Sequence, residues 1–409
     1  MLTLLILLFL FRLISNNDKS KSFFILAKYY LKNILASIYI HIPYCKQQCT
    51  YCNFHFRISQ NDKEEMLKSI KKEIEMRQSY LNSATISSIY FGGGTPCILK
   101  NQEIKSIINT IHCLFNIDEN AEITLECNPD DLDEKQLVAL KEIGINRLSI
   151  GIQSFDDADL KFMNRSHNAK QATQSVALAK KQGFNNITID LIYGLPNQSN
   201  KRWKENLTKM FNLGIQHFSA YALTIEPKTA LKHLIDTKKI KPAKDETTVE
   251  HFNTLIQMAV ENDFIHYEIS NFGKKGFFSN HNSAYWKNQH YLGVGPSAHS
   301  FNGTSRQWNI FSNKQYIEKI KTTDSYFEIE QLNNEQQYNE YVFTGLRTIW
   351  GVELDYIETQ FGTDTQQYFK QQIQNWINQE KVKQQNNNFI LTKKGKLYAD
   401  AIASDLFIV

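Results

Sequence analysis

The sequence predicts an α/β fold: a parallel sheet curled into a barrel or partial barrel, followed by a smaller, mostly helical domain. Three observations predict it. From Ser37 onward short β-rich runs alternate with longer stretches of helical periodicity. Each run ends in a polar loop rich in Gly and Pro. After Asn333 the pattern changes to helices with one late hairpin. Strands that alternate with helices pair in parallel, because each crossover returns the chain to the same end of the sheet.

The elements follow in order. "SIYIHI" (37–42) leads to a helix over about 62–80, and "SSIYF" (87–91) to one over about 101–115. "AEITLE" (121–126) precedes "DEKQLVALKEIG", in which Leu137, Leu140 and Ile143 share one helical face. "NRLSIG" (146–151), "NITIDLI" (186–192) and "HFSAYAL" (217–223) precede helices near 168–183, 201–213 and 245–263, and "FIHYEIS" (264–270) reads as a further strand. From 333 onward three helices, a hairpin in "KVKQQNNNFILT" and a last helix from Lys393 complete the chain.

Composition bounds the function. Of 409 residues 42% are hydrophobic and 22% charged, which is ordinary for a folded chain able to bury a core. The net charge of +4 carries no basic stripe, so nucleic acid and an acidic membrane are not expected as main partners. Six cysteines without framework spacing do not describe a disulfide-stapled secreted domain, which points to a reducing, cytoplasmic compartment. The start, "MLTLLILLFLF", is shorter than the roughly 20 apolar residues that span a bilayer. It reads as a short membrane-associating anchor, a packed helix or sequence upstream of a misassigned start; the last is favoured because the first organised strand begins near Ser37.

The strand ends carry the chemistry. After successive strands come "PYCKQQC", "GGGTP", "ECNPDD", "GIQSF", "DLIYGLP" and "LTIEP", all on the face where barrel enzymes build their sites. Cys45, Cys49 and Cys52 stand at C-x3-C-x2-C spacing, and a cytosolic chain clusters thiols for metal or redox work. Tetrahedral zinc would need a fourth ligand, for which His55 is the nearby choice. A four-iron cluster held by three thiolates would leave one iron open to an exogenous ligand. Both remain open on spacing alone.

The loop "YIHIPYCKQQCTYCNF", with "FGGGTP", "ECNPDD", "SIGIQSF", "DLIYGLP", "EISNF", "HNSAYW" and "GVGPSAHSF", resembles the radical S-adenosylmethionine (SAM) proteins grouped with oxygen-independent coproporphyrinogen III oxidase. Within that group it is most similar to the HemW-type heme chaperones. The resemblance runs from about Ser37 to the C-terminus. It implies a partial (β/α)6 TIM-like barrel at 37–270, a segment at 271–332 closing it, a winged C-terminal domain at 333–409, and an extension at 1–36.

By the same resemblance Cys45, Cys49 and Cys52 hold a [4Fe-4S] cluster whose open iron binds SAM. Gly93, Gly94 and Thr95 meet the methionine end of SAM, Glu126, Gln153, Arg165 and Asp190 contact the rest, and Tyr39 and Tyr51 lie near cluster and ligand. Phe54 stands where the decarboxylating oxidases carry a fourth cysteine. His281, Tyr285 and Trp286 match the segment associated with heme, with His299 and His41 as secondary candidates.

The implied function is binding of heme and its delivery to apo-hemoproteins, respiratory ones at the membrane among them, with cluster and SAM in a role the sequence does not define. The alternative is an oxygen-independent coproporphyrinogen III dehydrogenase, against which Phe54 and "HNSAYW" count. A non-catalytic zinc protein on the same fold is the third reading. A dimer is left open.

Overall fold

The computed structural model describes residues 35–322 and 325–409, so the expectations for the N-terminal extension fall outside the described residues but for the last two positions. The six predicted barrel strands are present as β1 (Leu35–Ile42), β2 (Thr85–Gly93), β3 (Asn116–Cys127), β4 (Arg147–Gln153), β5 (Asn186–Tyr193) and β6 (His217–Ala222). Each is parallel to the next. Apolar residues such as Ile38, Ile40, Ile89 and Ile189 are fully buried, as expected where helices cover one face and loops and side chains fill the other.

The crossovers are α1 (Lys63–Met76), α2 (Asn101–Leu114), α3 (Glu134–Glu142), the short α4 (Asp157–Phe162), α5 (Ala169–Lys181), α6 (Asn200–Asn212), the short α7 (Ala230–Asp236) and α8 (Asp245–Glu261). In α2 the buried face is Ile104, Ile107, Ile108 and Ile111, a 3.6-residue stripe laid on the sheet. The two short helices were not foreseen; each is one or two turns following a strand-end loop.

The sheet is linear and open: β12-β11-β10-β9-β1-β2-β3-β4-β5-β6-β8-β7. The stretch 264–270, expected as one strand, is instead β7 (Ile265–His266), a turn and β8 (Asn271–Gly273), antiparallel at the β6 edge. The turn breaks the strand because the Asn271 amide donates to the Glu268 carbonyl at 3.3 Å and its side chain to the Glu268 carboxylate. Helix α9 (Asn280–Trp286) follows, then β9 (His290–Val294), β10 (His299–Phe301), β11 (Ser305–Asn309), α10 (Asn313–Thr322) and β12 (Phe327–Gln331). Strand β9 lies parallel to β1, and β10 to β12 continue outward antiparallel.

The C-terminal domain has its own core of Tyr338, Val342, Ile357, Phe369, Ile373 and Ile402. It comprises α11 (Asn334–Leu346), β13 (Val352–Glu353), α12 (Leu354–Phe361), α13 (Thr363–Asn378), the hairpin β14 (Val382–Gln385) and β15 (Asn388–Leu391), and α14 (Ala399–Asp405). The last helix, expected from Lys393, starts only after a tighter turn at Gly395–Tyr398. The domain meets the barrel at the β7 segment, where the Ile349 amide reaches the Tyr267 carbonyl at 2.9 Å and Lys396 the His266 carbonyl at 3.1 Å.

Candidate functional site

The cysteine loop is fastened across the barrel. The Thr50 amide donates to the Met163 carbonyl at 3.1 Å, and the Thr50 carbonyl accepts from the Leu231 amide at 2.8 Å. Gln47 donates to the Asn164 carbonyl and Asn164 to the Gln48 carbonyl, both at 2.7 Å. The start of the loop is fixed by the end of β2: the Gly94 amide donates to Ile42 at 2.8 Å and the Thr95 amide to Tyr44 at 2.7 Å. A Cβ at position 94 would sit 2.4 Å from the Tyr44 carbonyl oxygen, so glycine is what lets the two backbones approach. Gly93 has φ of +105° and its missing Cβ leaves room for the His41 ring.

Residues from all six strand-end loops line one cavity of ≈ 460 Å³. Cys45, Cys49 and Cys52 edge it, and Tyr51, Gly93, Gly94, Thr95, Glu126, Gln153, Arg165 and Asp190 complete it together with Asn128 and Tyr221. The structure therefore brings every expected cluster and SAM position together except Tyr39, which borders a neighbouring cavity.

A polar relay ties the thiols to three strand ends. The Arg165 guanidinium donates to Cys49 Sγ at 3.2 Å, to Asn128 Oδ1 at 2.5 Å and to the Gly151 carbonyl at 2.7 Å. Asn128 donates to the Thr95 hydroxyl at 3.2 Å, and that hydroxyl to Cys45 Sγ at 3.6 Å. Arg165 Nε is buried without a partner among the described residues, a donor left over for a ligand. Burial pushes the Cys45 thiol up to about 12 and raises Cys52 as well, while the Arg165 charge offsets part of both. A metal at these sulfurs would deprotonate them outright.

Deeper in the cavity, burial pushes Glu126 up to about 8 although Tyr90 donates to it at 2.8 Å, and Asp190 close by adds to the rise. Glu126 therefore holds a proton at neutral pH and is a hydrogen-bond donor there. Burial also raises Asp190, to about 6, against a 3.4 Å hydrogen bond from Ser149. Gln153 sits at φ of +67°, a left-handed conformation that swings its side chain off the β4 line.

The heme candidates separate. His281 is 2% exposed and lines neither of the two cavities. Its Nδ1 pairs with Ser88 Oγ at 2.9 Å, and its ring stacks on Tyr90 at 4.8 Å. Burial lowers it to about 3, so it is neutral, and Nε2 has no partner among the described residues. Asn282, beside it in α9, is fixed by its amide donating to Ser279 Oγ at 3.2 Å. Tyr285 borders a second cavity of ≈ 1110 Å³, which also meets His41, His55 and His299. Trp286 lines a third, of ≈ 600 Å³, with Tyr291 and Phe301.

Sequence reasoning missed Asn128, Tyr90 and Tyr221 as site residues. Asn128 lay inside the quoted "ECNPDD", and Tyr90 alternates with the buried Ile89 and Phe91 on β2, so both had a signal. Tyr221 had none.

The chain matches the Radical SAM superfamily over residues 39–210 and the HemN C-terminal domain over residues 332–398. It is 31% identical over 371 residues to the heme chaperone HemW of Bacillus subtilis, covering 90% of this chain and 98% of that one. To the heme chaperone HemW of Lactococcus lactis it is 32% identical over 359 residues, covering 88% and 94%. The solved structure of the Escherichia coli coproporphyrinogen III oxidase HemN, a radical SAM enzyme, superposes with a TM-score of 0.80 over 92% of this chain and 90% of that one at 21% identity, and so shares the fold. With three cysteines edging a strand-end cavity and this similarity over nearly its whole described length, the chain belongs to the HemW heme chaperone family of the radical SAM superfamily.

Proposed function

We propose that the protein binds heme and passes it to apo-hemoproteins, carrying a [4Fe-4S] cluster on Cys45, Cys49 and Cys52 and SAM in the ≈ 460 Å³ cavity. The observation that carries this reading is Phe54. By the family resemblance it stands where the decarboxylating oxidases carry a fourth cysteine; it is 70% exposed and forms part of the wall between the two cavities. A flat apolar surface at that place suits a macrocycle lying beside the thiols more than another metal ligand.

The donor set supports the cluster: three thiols on one strand-end loop, one of them held by the Arg165 guanidinium, are the ligand type a cluster takes, each thiolate meeting a separate iron. When bound, cluster and SAM supply one-electron chemistry. Arg165 would hold the negative field of thiolates and ligand, Glu126 would donate its proton to a ligand acceptor, and Asp190 would accept from a hydroxyl. Among the described residues no helix is long and apolar enough to cross a membrane.

The test is anaerobic reconstitution followed by iron and sulfide analysis and a heme titration. About four irons and four sulfides, with a saturable Soret change near one heme, support the proposal. Zinc without sulfide, or no heme uptake together with decarboxylated porphyrinogen on turnover, overturns it.

A further inference from the structure

The ≈ 1110 Å³ cavity beside the thiols has features that the cluster and SAM do not use. Its floor is shared with the smaller cavity through Asn53, Phe54, Gly93 and Glu126. Its far wall is built by β10, β11 and the turn into α10, elements added beyond the parallel barrel. Large aromatic surface faces it without cover: Phe54 is 70% exposed and Phe311 65%. A volume at the upper end of ordinary ligand pockets, with facing aromatics left open to water, fits a flat, largely apolar ligand.

Three histidines line this cavity, His41, His55 and His299, and His281 lies beneath it; of the four, three are committed elsewhere. His41 uses both ring nitrogens, at 3.2 Å to the Tyr39 hydroxyl and 2.9 Å to the His55 carbonyl. His55 uses Nε2 on Asn313 at 2.6 Å and is covered by the Phe311 ring at 4.1 Å. His281 is sealed below, between Ser88 and Tyr90. His299 lines the cavity, is exposed, and neither of its nitrogens has a hydrogen-bond partner among the described residues. The Trp308 ring lies 6.3 Å from it, its indole N–H donating to Glu328, another residue of the cavity wall, at 3.1 Å. An imidazole with free nitrogens beside aromatic walls is what axial ligation of a porphyrin iron requires.

We propose that this second cavity is the heme seat and that His299, rather than His281, is the axial ligand. The proposal rests on the heme-chaperone reading. It places the porphyrin between Phe54 and Phe311 with one edge toward Glu126, and makes Trp308 a neighbour of the bound ring.

The test is an anaerobic titration of hemin into the cluster-reconstituted protein, read by Soret position and by quenching of Trp fluorescence. Five proteins are compared: wild type, His299→Ala, His299→Met, His281→Ala and Trp308→Phe. The expectation is at least a tenfold loss of affinity with an altered Soret band in His299→Ala, and recovery of the band on adding imidazole. In His299→Met, binding is retained with a displaced band, because a thioether replaces the imidazole. Trp308→Phe loses most of the heme-dependent quenching. Binding and spectrum unchanged in His299→Ala, or lost only in His281→Ala, would overturn the assignment while leaving the chaperone reading intact. No heme uptake by the wild type would overturn both.

Discussion

The guanidinium of Arg165 rests on the sulfur of Cys49 at 3.2 Å while the same group grips the Gly151 carbonyl at 2.7 Å, so a thiol on the first βα loop is positioned by the end of the fourth strand. Replacing Arg165 by Ala leaves Asn128 Oδ1 and the Gly151 carbonyl without this donor and removes the guanidinium charge that hydrogen-bonds Cys49. We expect about 2 kcal/mol of lost stability in the metal-free protein and lower iron and sulfide content after reconstitution. Arg165→Lys, which cannot fork, should recover less than half of the content. Colorimetric iron and sulfide assays check both.

Cys45→Ala, Cys49→Ala and Cys52→Ala should each abolish cluster incorporation. Cys113→Ala should retain it in full, because Cys113 lies exposed on α2 away from the cavity. Equal losses in all four would remove the cluster assignment.

Gly94→Ala inserts a methyl 2.4 Å from the Tyr44 carbonyl oxygen, and backbone cannot yield as a side chain end does. Displacement of the cysteine loop should cost about 1–3 kcal/mol, the range of overpacked cores. Chemical denaturation of the metal-free protein measures it, and reconstituted iron content reports the displaced loop.

His281→Ala should destabilise the barrel by about 2–3 kcal/mol, since it removes a buried ring packed on Tyr90 and one of the two hydrogen bonds of the Ser88 hydroxyl, which keeps Ser37 Oγ at 2.8 Å. The same variant should keep the wild-type Soret band. Thermal unfolding and the heme titration together separate the two effects.

Glu73 on α1 sets a pH dependence. It is fully buried, accepts from Tyr316 at 2.6 Å, Asn309 at 2.7 Å and the Gly295 amide at 2.8 Å, and burial still raises it to about 7. A carboxyl raised on folding holds its proton better in the native state. Its ionisation therefore costs stability, beginning near the unfolded value of about 4.5 and complete once pH passes about 7. The whole cost is on the order of 3 kcal/mol. Wild type should lose more unfolding temperature than Glu73→Gln between about pH 5 and pH 8; parallel curves would contradict the raised value.

The barrel was legible because its signals are local: alternating periodicity, strand-end glycines and closely spaced cysteines. Of the eight positions that join the thiols around one cavity, Gly93, Gly94 and Thr95 were legible in a strand-end glycine loop, whereas Tyr51, Glu126, Gln153, Arg165 and Asp190 rested on the family resemblance, Arg165 lying outside every strand-end motif. What escaped the sequence was set by distant partners. The 264–270 run has the alternation of a strand, yet Glu268 and Asn271 fold it into a turn on the β6 edge. The "HNSAYW" histidine carries the residue type of a metal ligand, but its burial against Ser88 and Tyr90 depends on where α9 docks. Strands β9 to β12 are short, and neither the pairing of β9 with β1 nor the outward succession of β10 to β12 has a local signature.

The stapling of the cysteine loop to Met163 and Leu231 has a consequence for biogenesis. A nascent chain that has emerged only through its third strand carries all three thiols but neither anchor, so the sulfurs lack the contacts that set their spacing. Metal delivered then would meet a floppy, oxidisable peptide. Productive loading of a cluster would therefore follow release of at least the first 231 residues.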